Sequence, residues 1–390
     1  MNNNKLLFLA FILIPFTSLR IGMIGFGEII LMLVIFLQIR KGYSKISHLS
    51  FSKFWVFFLL ACCLGLLNNI FDSMNIVTRM KGVFTDFFAY IIVFMTVYML
   101  ESKIRKNDLE VEPFLKRTFY YFSIIYGTLF LVSFFAPSFL GYNLRSYGRF
   151  MPLVNNIHHG AMMFSVLVFI GIWVMENAKG KIKKGITFLF VILFILMTLQ
   201  TGSFKAFLGV VLGLGLMFYV KIISFFKGKM KKAVIFSFII TIAFVVVFKL
   251  DFIYNKLTAI FSEEDGGGAR EHLYRTALKI GEENFLFGNG PGPHIFNNGI
   301  YWDAHQTLLT AYLQAGIVGV IILIFFATRF MIYLFKKSVF LAAFIPIFLY
   351  VLGGDILRRI PVWFFLVLIY YCNKVIEKKK YYKNESSYII

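Results

Sequence analysis

The stretch "YWDAHQTLLTAYLQAGIVGVIILIFF", residues 301–326, opens with two aromatics, an aspartate and a histidine, then runs uncharged to its end. An apolar run of about 18 residues or more is long enough to cross the hydrocarbon of a bilayer as a helix. The pattern recurs along the chain. Hydrophobic residues fill 59% of the 390 positions, 50 of them Phe, and charged residues only 15%. Soluble domains carry about 25% charged residues, so an ordinary soluble domain is excluded and lipid is the solvent for most of the molecule.

Hydrophobic segments between polar breaks predict about twelve spans. They fall near 6–17, 22–39, 52–67, 83–100, 118–138, 153–175, 186–200, 206–223, 233–249, 306–326, 339–353 and 361–373. The expected fold is an all-α integral membrane protein, one polytopic domain over 1–390, with a large outward-facing loop at 250–304 that contains short helices. The N-terminal "MNNNKLLFLAFILIPF" has no small-x-small cleavage site and more spans follow, so it reads as a retained first helix. Cys62, Cys63 and Cys372 all fall inside apolar segments and read as small buried hydrophobes. With the N-terminus in the cytoplasm, 27 of the 40 Lys and Arg collect on the cytoplasmic side. That satisfies the positive-inside rule and puts both termini in the cytoplasm. The formal charge of +21 then reflects membrane topology, with no nucleic-acid partner implied.

The outward basic residues differ in kind. Eight of these 13 are Arg, against four of the cytoplasmic 27. Topology is served equally by Lys, whereas a guanidinium fork suits bidentate binding of phosphate or carboxylate. As a set, the outward arginines predict an anion bound at the outer face. Any single one also serves as an interfacial anchor or an ion-pair partner.

Within the long loop, Leu273, Ala277 and Ile280 have helical spacing, with Arg270 and Arg275 elsewhere on the turn. Gly288, Gly290 and Gly292, with Pro291 and Pro293, impose a tight irregular path. In the opening stretch, Asp303 and Gln306 have the spacing of a capping box, and Tyr301 and Trp302 suit an aromatic belt. That reading leaves His305 over. A neutral imidazole there offers a ring nitrogen able to accept a proton, as a general base must. A second cluster, "LRSYGRFMPLVNNIHHGAMMF" at 144–164, sets Arg145 and Arg149 in a short outward connection. Asn155, Asn156, His158 and His159 enter the span behind them, facing a cavity or bonding between helices. A third, "TLQTGSFKAFLGVVLGLG" at 198–215, holds the lone cation Lys205 where a helix begins, which suits an anion. The intramembrane acids Glu28 and Asp86 need partners, and Arg20 and Arg79 are the expected ones. No metal-binding spacing, P-loop or dinucleotide fingerprint occurs, so no metal or cofactor is expected.

The loop and the following span, "AREHLYRTALKIGEENFLFGNGPG" and "DAHQTLLTAYLQAGIVGV", resemble the O-antigen ligase and O-antigen polymerase superfamily. Arg270, Gly288, Gly290, His305, Leu308, Gly316 and Gly319 match its pattern in order and spacing. "GRFMPLVNNIHHGAMMF" and "LQTGSFKAFLG" are similar to two earlier family segments. In the second, Phe204 and Lys205 follow Ser203 where the family has Arg, and Gln306 stands where it has Asn. The resemblance implies a metal-independent, inverting membrane glycosyltransferase of the helical fold type called GT-C. It would use a glycan on undecaprenyl diphosphate, at the outer face of the bacterial cytoplasmic membrane. It implies His305 and Arg270 as catalytic, with Arg149, Lys205, Arg275, Arg145, Asn156 and His159 toward the diphosphate and glycan. An O-antigen polymerase, with a chain-length regulator protein as a further partner, is the expected function. A ligase passing the chain to lipid A–core, and a lipid-linked oligosaccharide flippase, are the alternatives.

Overall fold

The computed structural model describes residues 3–21, 24–39, 49–70, 76–139, 141–154, 156–226, 228, 269–297, 300–335 and 337–386. The predicted span at 233–249 and the first part of the long loop lie outside the described residues. The described chain is mostly helical: α1 (Asn3–Leu13), α2 (Phe26–Ile39), α3 (Ser50–Ile70), α4 (Ile76–Arg105), α5 (Val111–Phe135), α6 (Ile157–Glu176), α7 (Lys181–Gln200) and α8 (Phe204–Phe225) come first. Then come α9 (Ala269–Glu283), α10 (Thr307–Leu334), α11 (Ser338–Val351) and α12 (Ile360–Ser386). Eight of these helices are long and apolar enough to cross a membrane, and α1, α2 and α11 are shorter apolar helices. This is a multi-pass membrane architecture. Among the described residues, four two-stranded hairpins, including β5–β6 (Arg145–Ser146 with Arg149–Phe150) and β7–β8 (Ile295–Asn297 with Ile300–Trp302), punctuate the connections.

The helices do not share the core equally. Burial reaches 78% of the apolar window in α6 and 67% in α12, against 28% in α7 and α8, so α6 and α12 form the centre. On the lysine-rich face, Glu101 of α4 caps α3 from a distance. Its carboxylate accepts from Phe51 N (3.2 Å), Ser52 N (2.8 Å), Ser52 Oγ (2.6 Å) and Tyr371 Oη of α12 (3.0 Å).

The opening stretch holds the largest departure from regular helix. At Gly316 the backbone of α10 turns to φ 63° and ψ −163°, which breaks the helix in its apolar part. Four backbone bonds then join it to the segment behind α9. Asn289 N donates to Leu313 O (2.7 Å) and Gly290 N to Gln314 O (2.9 Å), while Ile317 N donates to Phe285 O (2.9 Å) and Val318 N to Leu286 O (3.3 Å). The carbonyls and amides that a straight helix would pair with each other are thus paired with the loop. This explains two glycines of the "FGNGPG" run. Gly288 (φ 70°) would put a Cβ 2.6 Å from Gly316 N, and Gly290 (φ 76°) would put one 2.7 Å from Leu66 Cα of α3. The helical spacing of the long loop holds: Ala277 is fully buried, with Leu273 and Ile280 packed beside it against Leu313 and Ile295.

The cap of α10 differs from the sequence expectation. Gln306 is the N-cap, accepting from Leu309 N at 2.6 Å. Asp303 is instead engaged by Arg358, and His305 between them takes a left-handed φ of 51° that ends the helix before reaching it. Of the expected partners of the membrane acids, Arg79 has a side chain outside the described residues, and no ion pair to Arg20 is present among them. Glu28 accepts from Gly25 N at 2.9 Å. Asp86 pairs with Arg358, in the connection before α12 (2.5 Å), which also binds Asp303 (2.6 Å) and Asp355 (3.2 Å). Gln314 of α10 joins the cluster, donating to Asp86 (3.2 Å) and to Gly292 O (3.0 Å) and accepting from the Tyr90 hydroxyl.

Two outcomes follow. Gly288→Ala meets both a left-handed backbone and a backbone clash, so it is expected to cost more than the ~1–2 kcal/mol of the φ alone. Gly185→Ala, where a Cβ meets nothing within 4 Å, is the control expected to leave thermal unfolding in detergent unchanged or raised. Arg358→Gln strands buried carboxylates and is expected to destabilise by about 3–5 kcal/mol, read in the same unfolding assay.

Candidate active site

Four connections meet where α6, α8, α10 and α12 begin. They enclose a cavity of about 250 Å³, lined among others by Asn156, His158, Lys205, His305, Tyr350 and Arg359. Asn156 sits there because it caps α6, its side chain accepting from His158 N at 2.9 Å. His158 Nδ1 lies 3.3 Å from the hydroxyl of Ser203, which leads into α8. Lys205 occupies the first turn of α8 with only 7% of its surface exposed. A Cβ on Gly353 would come 2.6 Å from Lys205 Nζ, so the glycine makes room for the lysine. A cation at the positive end of a helix dipole concentrates positive potential on the cavity.

His305 enters this cavity from the other side. It is exposed, and the left-handed backbone that excludes it from α10 holds it on the cavity wall. Its neighbours are fixed. Thr307 Oγ1 donates to Gly354 O (2.7 Å) and accepts from Ile356 N (3.2 Å), fastening the start of α10 to the connection that carries the arginine pair.

The two arginines of that connection differ in state. Burial works against the Arg358 charge, but the carboxylates of Asp355, Asp303 and Asp86 outweigh it and hold the guanidinium pKa well above its ordinary value. Arg358 is a neutralised strut. For Arg359 the balance is reversed: burial lowers its pKa and outweighs Asp355 and Asp303 nearby, and its buried Nε has no hydrogen-bond partner among the described residues. It borders the small cavity and a second one of about 790 Å³. The second cavity has apolar walls from α4 and α6, such as Phe84, Phe88 and Met162, and a polar end at Arg20, Asp303 and the two arginines. His159 lines it too, edge-on to Tyr350 at 5.5 Å, with Nε2 buried and without a partner among the described residues.

The structure therefore brings His305, Lys205 and Asn156 to one cavity and His159 to its neighbour. Other residues singled out in the sequence lie elsewhere. Arg149, on β6, borders the α7–α8 turn, its Nε 3.1 Å from the place of a Cβ on Gly202. Arg145 donates to Ser133 Oγ (3.2 Å) and covers the Phe134 ring at 4.3 Å, which ties its hairpin to the end of α5. Arg275 is exposed on α9 and lines neither cavity. Arg270 opens α9, but its side chain lies outside the described residues. Sequence reasoning passed over Asp355, and counted Arg358 and Arg359 only among the outward arginines without giving them a place in the site. Their signal was "GGDILRR" at 353–359, a glycine pair, an acid and an arginine pair between two apolar runs.

No curated protein matches the chain significantly. The family model described as O-Antigen ligase matches residues 186–324. That range runs from α7 through the glycines at the break in α10 and contains Lys205, Arg270 and His305. The match covers just over a third of the chain and supports its resemblance to the O-antigen ligase and polymerase superfamily.

Proposed function

We propose that the protein is a surface-polysaccharide polymerase of the O-antigen type. It moves a growing glycan from undecaprenyl diphosphate onto an incoming lipid-linked repeat unit, at the outer face of the bacterial cytoplasmic membrane. The observation that carries this reading is the meeting of His305, Lys205 and Arg359 on one polar cavity beside a larger, largely apolar one. An acceptor hydroxyl attacks the anomeric carbon, the bond from that carbon to the diphosphate oxygen breaks, and the configuration inverts. His305 takes the hydroxyl proton. Lys205 and Arg359 offset the charge growing on the diphosphate, a fixed electrostatic contribution that needs no reorganisation during the reaction. Arg270 and Arg149 are assigned to the glycan-phosphate portion on the strength of the family resemblance.

The matched family description names the ligase, which favours a second reading with the same donor and lipid A–core as acceptor. A flippase would draw on the break in α10, since broken helices line transporter sites. Here the backbone groups freed at the break are occupied by the chain's own loop.

In a deletion strain, surface glycan carrying single repeat units is the outcome expected of a polymerase. Bare lipid A–core with accumulated lipid-linked polymer would instead make the protein a ligase. His305→Ala is expected to lower polymer formation by about 10²–10⁴-fold with normal membrane insertion, and full activity would remove the base assignment. Arg359→Gln is expected to cost about 10²-fold, with Arg359→Lys retaining part of the rate.

A further inference from the structure

A groove lies at the far end of α10 from the site. It has a volume of about 620 Å³ and runs between α3 and α10, with Tyr370 of α12 at its back. Phe54 and Phe57 of α3 and Ile322 and Phe325 of α10 form its walls, and Lys53 and Arg329 stand at its mouth. Phe57 and Phe325 are 57% and 65% exposed. Lys53 and Arg329 are exposed as well, and no ion pair to either is present among the described residues. Along α10, Arg329 is roughly 30 Å from the His305 end, so the groove is separate from the site above.

We propose that this groove binds an anionic phospholipid of the lysine-rich leaflet. The walls belong to membrane-spanning parts of both helices, where the medium is hydrocarbon, so the occupant must carry an acyl chain. Ile322 lies about two turns, roughly 10 Å, deeper than Arg329, which accommodates the upper part of such a chain. A neutral lipid would satisfy the aromatic walls equally. The paired cations at the mouth are what select a headgroup phosphate with net negative charge, since each basic side chain near a surface attracts anionic lipid.

The test is native mass spectrometry of the whole protein released from mixed micelles holding phosphatidylglycerol and phosphatidylcholine of identical chains. Wild type is expected to retain phosphatidylglycerol with a preference on the order of tenfold. The Lys53→Gln/Arg329→Gln variant is expected to lose that preference while keeping its unfolding midpoint in lipid-free detergent. Equal retention of the two lipids by wild type overturns the proposal, whether or not the variant folds. So does an undiminished preference in the variant. Phe57→Trp supplies a second reading: brominated phosphatidylglycerol should quench the added fluorescence more than brominated phosphatidylcholine, and equal quenching also overturns the proposal.

Discussion

Inside a bilayer every backbone amide and carbonyl must find a partner within the protein, because lipid supplies none. The break in α10 meets that requirement by exchange. Leu313 O, Gln314 O, Ile317 N and Val318 N are each bonded to residues 285–290. Much of the site's geometry depends on those bonds. They fix the segment between α9 and the β7–β8 hairpin, and the hairpin delivers the chain to Asp303 and His305. An amide left unpaired at that depth would cost several kcal/mol, on the order of a protein's whole marginal stability. The glycines Gly288, Gly290 and Gly316 are there because two backbones come closer than any side chain permits.

The Arg358 cluster is the second constraint, and its charge balance shapes the site. Three carboxylates surround one guanidinium, all at least partly buried. Desolvation of so many charges is costly, so the cluster is better understood as fixing geometry than as adding stability. It joins α4, the start of α10 and the connection before α12 at one point. The adjacent Arg359 forms no ion pair in it among the described residues, lines both cavities, and has a buried Nε without a hydrogen-bond partner there. One arginine is consumed by structure while its neighbour lines the site.

Much of this was legible in the sequence, and the reasons differ by residue. Uncharged apolar runs marked the helices because burying backbone in lipid allows little else. His305, Lys205 and Asn156 stood out as polar residues where a span begins, and the structure gathers those three on one cavity. The capping box misled because a carboxylate serves equally well as a helix cap or as an arginine partner. Only the fold brings Arg358 to Asp303. Asp86 and Arg358 lie 272 positions apart, beyond any local pattern. Gly316 carried no warning of a break, since glycine among apolar residues reads equally as a close-packing site between helices.

The break also bears on how the chain enters the membrane. Gly316 has no side chain that forbids helical backbone. The 28-residue segment from Thr307 to Leu334 can therefore insert as one uninterrupted helix, with its bonds satisfied internally. By then α3, α4 and the 285–290 segment have already been synthesised. Opening the helix as that segment docks would replace each bond released by one formed. Assembly in that order would avoid a stage at which polar backbone stands bare in lipid, so the non-helical shape of the finished site need not be a barrier to insertion.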